Sequence, residues 1–349
     1  MDNQLYIEDL DRTFSSTLPW EKLKGKHILV AGGTGLIGRY LIDLIMYMNN
    51  RTQLGCFLTV FSRNERAAKK VFPEKYFQSE WFTYIEHNVC DPLNEDIDRF
   101  DYIINLASNT HPRSYSERPI DTILSNVYGT KNLLDICLRS IGCRFVFLSS
   151  VEVYGENRGD VELFDEMYLG FLNSNTLRAG YPESKRVCEA LCQAYIKEHN
   201  VDIVIPRLPR VFGPTMQSDD SKAVAQFIKK AVVGENIVLK SEGNQFYSFL
   251  YVADAVLGIL TVMLLGKTGN AYNIADELCD DTLKNIAEMC ADVAQVEVIF
   301  ELPDAIEKKG YSTATKARLD SSKIKKLGWK NIYSLKEGIE RTINIQKNI

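Results

Sequence analysis

The stretch HILVAGGTGLIG, residues 27–38, opens on apolar residues and closes with Gly32, Gly35 and Gly38 in GxxGxxG spacing. RYLIDLIMYM follows with apolar residues at helical spacing, so the segment reads as strand, tight turn and helix start. Glycines there let the backbone turn sharply and come close to another group. The helix that begins beyond them presents unsatisfied N–H groups and the positive end of its dipole. Such a turn cradles a pyrophosphate, and Gly32, Gly35, Leu36, Ile37 and Gly38 are the expected dinucleotide contacts.

Working outward, β-rich runs recur at HILVAG (27–32), FLTVFS (57–62), FTYIEH (82–87), DYIINLA (101–107), RFVFLSS (144–150) and DIVIPRL (202–208). Each is followed by a helical or turn-rich segment. The alternation predicts an α/β fold, a Rossmann-type doubly wound parallel sheet covered by helices on both faces. After about residue 210 the rhythm loosens, which predicts a smaller C-terminal α/β substrate-binding lobe. The expected division is an N-terminal extension (1–24), a dinucleotide-binding domain (25–210) and a lobe (211–349) partly interleaved with it.

The 349 residues are 45% hydrophobic and 25% charged with a net charge of −5, an ordinary globular composition without the basic run of a nucleic-acid binder. The expected partner is a small molecule. Eight cysteines carry no CxxC pair and four histidines no HxxxH or HExxH spacing, so reduced thiols and no metal are expected. Cys188 and Cys192 share a helical face and read as small buried residues. MDNQLYIEDLDRTFSS is acidic and lacks the apolar core of a secretory leader, which makes the cytoplasm the expected compartment. FLYVADAVLGILTVMLL (249–265) contains Asp254 and reads as a strand followed by a buried helix, with no membrane span expected.

The second strand ends in Ser62 and Arg63, where a site for NAD normally places an acid. Arg63 either pairs with a 2′-phosphate, which favours NADP over NAD, or is a solvated loop residue. Asp91 in NVCDP either meets the adenine amine or makes an Asx turn ahead of Pro92.

GYPESK (180–185) places Tyr181 and Lys185 four positions apart, with Pro182 marking a helix start. Residues at that spacing share a helical face. A nearby ammonium favours the phenolate and lowers the phenol from its usual pKa of about 10 toward the range of a general base. Ser149 and Ser150 end a strand between this pair and the glycine turn, at the carboxyl edge where such sheets bind ligands.

GGTGLIG, NLASNT, SSVEVYG, YPESK, RLPRVFGP and FLYVADA, in this order, resemble the extended short-chain dehydrogenase/reductases, specifically the nucleotide-sugar epimerase/dehydratase group, from about Lys26 to Trp329. The resemblance implies Tyr181 as catalytic base, Lys185 on the nicotinamide ribose, and Ser150 on the reacting hydroxyl. It implies Asn126 steadying the central helix, Ala107 and Ser108 along the cofactor, a tightly bound NAD or NADP, and a nucleotide-diphosphate sugar as substrate. It also implies a homodimer built on the helices containing Asn126 and Tyr181.

Enzymes of this group open by removing a proton from a sugar hydroxyl while hydride passes to the nicotinamide. The 4-keto sugar then rotates, loses water or loses carbon dioxide. Glu152 is similar to the acid of dehydratases and UDP-glucuronate decarboxylases and points to chemistry at C5, or is a polar strand-end residue meeting a backbone amide. Val151 stands where dehydratases carry a proton donor, and decarboxylation needs none. The expected activity is a 4,6-dehydratase or decarboxylase, with a 4-epimerase or an NADP-dependent keto-sugar reductase as alternatives. Arg210 stands where the group has asparagine, and Tyr247 where it has arginine, so Arg210 is expected on the diphosphate. Lys222 is either a substrate cation or a solvated helix residue. Lys316 or Arg318 is expected to replace the arginine that decarboxylases carry ahead of the last helix.

Overall fold

In the computed structural model, which describes residues 3–93, 99–108, 117–301 and 315–348, the apolar run ahead of the glycines forms β1 (His27–Ala31). It pairs in parallel with β2 (Phe57–Ser62) on one side and β4 (Tyr102–Asn105) on the other. β3 (Phe82–Glu86) extends the sheet beyond β2. β5 (Arg144–Phe147), β6 (Ser149–Ser150) and β7 (Asp202–Leu208) extend it beyond β4. The strand order reverses between β1 and β4, and ligands of such sheets bind at that switch point.

Alternation along β1 builds a core on each face. Ile28 and Val30 pack with Leu41 and Ile45 of the helix Leu36–Arg51 and with Val256 of the helix Val252–Leu265. Leu29 and Ala31 pack with Leu133 of the helix Pro119–Arg139 and with Cys188 and Cys192 of the helix Gly180–His199. A strand buried on both faces needs no polar positions, which is why HILVA reads as unbroken apolar sequence.

The later chain forms β8 (Arg210–Phe212), β9 (Ile237–Leu239), β10 (Phe246–Tyr251), β11 (Ala271–Asn273), β12 (Asp280–Thr282), β13 (Val298–Phe300) and β14 (Lys316–Ala317). β10 is flanked by β8 and β14 in parallel and β12 in antiparallel register. β11 instead joins the edge of the large sheet beside β7, and the expected boundary after residue 210 falls within β8.

The apolar run 249–265 is the end of β10 and a helix buried through Leu264, as read from the sequence. Asp254 is tolerated within it because its carboxylate accepts the backbone N–H groups of Ile332 at 2.6 Å and Tyr333 at 3.2 Å. Among the described residues no helix is long and apolar enough to cross a membrane. The N-terminal helix Gln4–Phe14 is fastened to the body of the protein by its polar side chains. Tyr6 donates to Asp43 at 2.7 Å, and the fully buried Asp9 accepts from Tyr333 at 2.9 Å and Arg341 at 2.5 Å.

Candidate active site

A cavity of about 1010 Å³ runs from the glycine turn, past the carboxyl ends of β4 and β6, to Tyr247 on β10. That volume is at the upper limit for a pocket holding one small molecule, which suits two ligands meeting end to end. Each glycine at its mouth has its own reason. Gly32 has φ +83°, and a Cβ there would lie 2.7 Å from the Ala107 nitrogen. A Cβ on Gly38 would lie 2.7 Å from the Gly32 oxygen, within the turn itself. Gly35 caps the helix Leu36–Arg51, and a Cβ there would meet only the Gly32 oxygen, at 3.5 Å. The helix start thus faces open cavity with the N–H groups of Leu36 and Ile37 in its first turn, an arrangement that fits the pyrophosphate of a dinucleotide.

Ser150 leaves the end of β6 and caps the short 3-10 turn Val151–Tyr154, its Oγ accepting the Glu152 N–H at 3.3 Å. Tyr181 lies in the first turn of the helix Gly180–His199 and is 7% exposed. Burial pushes its phenol up to about 12. Hydrogen bonding to Ser150, the Arg178 charge and hydrogen bonding to Ser108 work in the opposite direction, while the Glu152 charge adds to the rise. Lys185 stands one turn further along the same helix. Its Nζ donates to the Leu148 carbonyl at 2.8 Å and lies 4.8 Å from the centre of the Phe147 ring and 6.0 Å from that of Tyr181. Burial in turn brings the Lys185 ammonium down to about 8.

Asn126 ties these pieces together. It accepts from Ser108 at 2.8 Å and donates to Ser184 at 2.8 Å, and Ser184 donates to the Tyr181 carbonyl at 2.7 Å. The loop after β4, the central helix and the helix bearing Tyr181 are thereby fixed relative to one another. Behind the site, Ser149 donates to Glu189 at 2.6 Å, and Glu189 is paired with Arg207 at 2.6 Å.

A glycine turn on a parallel sheet, with Ser150, Tyr181 and Lys185 gathered at its carboxyl edge, agrees with the family comparison. Residues 28–275 match the model of the NAD-dependent epimerase/dehydratase family. The chain belongs to this family.

Curated relatives include UDP-glucuronic acid decarboxylase 1 of Xenopus tropicalis, 31% identical over 97% of this chain and 77% of that protein. UDP-glucuronic acid decarboxylase 6 of Arabidopsis thaliana is 32% identical over 89% of this chain and 86% of that one. Among solved structures, the UDP-glucose 4-epimerase of Thermotoga maritima superposes with a TM-score of 0.77 at 21% identity, covering 91% of this chain and 98% of that one. The dTDP-glucose 4,6-dehydratase of Streptomyces venezuelae, with NAD and TYD bound, also gives 0.77 at 21% identity, covering 92% and 97%. The proteins named here are enzymes, and this chain is an enzyme of the NAD-dependent epimerase/dehydratase family.

For a member of this family, most residues read from the sequence meet in one place. Gly32, Gly35, Leu36, Ile37, Gly38, Ser62, Arg63, Ala107 and Ser108 line the cofactor end of the cavity, and Ser150, Glu152, Tyr181, Arg210, Lys222 and Tyr247 the other. Two do not line it. Asp91 is exposed in a turn where its N–H donates to the Asn88 carbonyl at 2.9 Å, and His87, Asn88 and Val89 form that wall instead. Arg318 is held outside the cavity by Asp280 at 2.6 Å and Glu162 at 3.0 Å. A guanidinium that finds a carboxylate nearby settles there, and its position next to β14 gives no hint of this. The sequence reading also passed over Arg178, whose Nη2 donates to Glu152 at 2.8 Å. Its place in the turn Leu177–Ala179, just ahead of Tyr181, is a signal that a cation accompanies the phenol.

Proposed function

We propose that the protein is a decarboxylase of nucleotide-linked hexuronic acids, of the UDP-glucuronic acid type. The observation that carries this reading is the cavity wall beside Ser150, where Val151 offers no proton to a departing hydroxyl while Glu152 is accompanied by Arg178 and Arg210. Loss of water needs a donor acid at that wall. Loss of carbon dioxide from a 4-keto uronic acid needs only the adjacent ketone.

In this reading Tyr181 takes the proton from the sugar O4, with Ser150 and Ser108 orienting that oxygen, as C4 gives up hydride. NAD, when bound, supplies the hydride acceptor and returns the hydride at the end. The C5–C6 bond then breaks, its electron pair forms the C4=C5 enolate, and carbon dioxide departs. Arg178 and Glu152 bound the C5 side, where the enolate takes up a proton. Hydride returns to C4 and Tyr181 gives its proton back to O4. The protein's share is positioning and proton movement.

Arg63 at the adenosine end supports acceptance of NADP as well as NAD. Ile120, Leu124 and Tyr128 form an exposed apolar stripe on the central helix, and Val187 is exposed on the helix packed against it, which supports a homodimer across these two helices. All eight cysteines are free thiols, in keeping with a cytoplasmic setting. Incubation with UDP-glucuronic acid and NAD, followed by mass spectrometry, tests the activity. A pentose product lighter by carbon dioxide is expected. Loss of water from UDP-glucose or dTDP-glucose, with uronic acids left untouched, overturns the reading in favour of a dehydratase.

A further inference from the structure

Arg210 opens β8 opposite Phe249 of β10. Its guanidinium carbon lies 3.3 Å from the centre of the Tyr247 ring, so the planar cation rests on that ring. Its Nη1 is shut off from solvent and has no hydrogen-bond partner. Among the described residues no carboxylate lies within ion-pair distance of it, although Glu152 is close enough to act on it through space. The Glu152 carboxylate is already engaged by Arg178 at 2.8 Å, which leaves the charge of Arg210 over. A buried donor of this kind, in a cavity, is what a ligand acceptor satisfies.

The surroundings of Arg210 fix which part of a ligand it meets. Arg210 lines the cavity with Ser150, Glu152, Arg178 and Tyr181, and the Glu152 and Arg178 charges act on both Arg210 and Tyr181. Arg210 therefore belongs to the end of the cavity where the sugar reacts. A diphosphate carries its charge away from the reacting carbons, so the expected diphosphate contact does not suit this position.

We propose that Arg210, seated on Tyr247 and seconded by Arg178, recognises the C6 carboxylate of the hexuronic acid and is the residue that selects uronic acids over neutral hexoses. The assignment rests on the decarboxylase reading above. A carboxylate matches the guanidinium fork, and among the described residues none stands within ion-pair distance of Arg210 to answer its charge. A neutral C6 hydroxymethyl group leaves that charge unanswered, and a site built for a polar partner rejects the analogue that lacks it.

Calorimetric binding of UDP-glucuronic acid, UDP-glucose and UDP to wild-type protein, Arg210→Gln and Arg210→Lys tests this. The wild type is expected to prefer the glucuronic acid to the glucose by at least about tenfold. Arg210→Gln should lose that preference with its affinity for UDP and UDP-glucose unchanged, which also shows that the variant is folded. Equal losses for all three ligands return Arg210 to the diphosphate, and a preference kept in Arg210→Gln removes it from recognition altogether. If Arg210→Gln does not fold, Arg210→Lys decides. It keeps the charge and the buried stem without the fork, and weaker binding of the glucuronic acid alone supports the proposal, whereas any other pattern overturns it. A wild type with no preference for the uronic acid defeats the decarboxylase reading itself, a failure distinct from that of Arg210.

Discussion

The ammonium of Lys185 stands 6.0 Å from the centre of the Tyr181 ring and spends a hydrogen bond on the Leu148 carbonyl at 2.8 Å. The Arg178 charge lowers the phenol, set against burial that pushes it up to about 12. Because the phenolate is the reactive form, the rate of hydride transfer should rise with pH through neutrality. Tyr181→Phe should lose a factor of about 10²–10⁴ in nicotinamide reduction, measured by stopped-flow absorbance with UDP-glucuronic acid. Arg178→Gln should move the ascending limb of the pH profile to higher pH. An unmoved limb would show that the cation acts only on Glu152.

Lys185 itself is expected to trade stability for function. Burial brings its folded pKa down to about 8, below the ordinary lysine value. Between those two pH values the unfolded chain holds a proton that the folded chain lacks, so stability rises with pH across the window and the penalty is fully present below about pH 8. Lys185→Met should be more stable than wild type at neutral pH by about 1–3 kcal/mol in urea unfolding, with the gain shrinking as the pH climbs through the window. Its activity should be lost.

What the sequence disclosed and what it withheld follow from the range of each interaction. Gly32 and Gly38 were legible because their constraint is backbone geometry, and backbone geometry is recorded in residue type. Tyr181 and Lys185 were legible as neighbours because a helix fixes their spacing, yet the direction of Lys185 was not, since Leu148 arrives from another strand. The same limit explains Arg318, whose carboxylate partner Asp280 lies on β12. Asn126 was legible as a residue but not as the bridge from Ser108 to Ser184, which exists only once two helices and a loop have packed.

Arg63 lines the cavity at the end of β2, is exposed, and follows Ser62, whose hydroxyl pairs with Tyr84 at 2.9 Å. Neither Ser62 nor Arg63 is the acid that would repel a 2′-phosphate. Arg63→Ala should weaken NADP binding about tenfold, or about 1.4 kcal/mol, and leave NAD binding unchanged in calorimetry. Equal affinity of the variant and wild type for NADP would make Arg63 a solvated loop residue.

Tyr128 is 50% exposed and Ile120 68%, an apolar stripe that a lone chain would leave to water. Tyr128→Asp should convert a dimer to a single chain in light scattering after gel filtration, because the new carboxylate would be buried between two copies without a partner. A wild type that already runs as a single chain would end the dimer proposal.

Asp9 ties the N-terminal helix to the far end of the chain. Its carboxylate is fully buried and accepts from Tyr251, Tyr333 and Arg341, while Tyr6 in the same helix reaches Asp43 on the helix that starts at the glycine turn. Removing the carboxylate leaves the Arg341 guanidinium with the Leu5 carbonyl at 2.6 Å and the more distant Glu8 at 3.4 Å, and leaves two buried phenols without their acceptor. Asp9→Ala should therefore cost about 3–5 kcal/mol in urea unfolding. The acid should also matter through pH. Burial raises the Asp9 carboxyl above its ordinary value, so between those values the folded chain holds a proton that the unfolded chain has released, and stability falls as pH rises across that window. The Asp9→Ala variant should lose this slope, and a slope that persists unchanged would assign it to another buried acid such as Asp254, which burial raises to about 8.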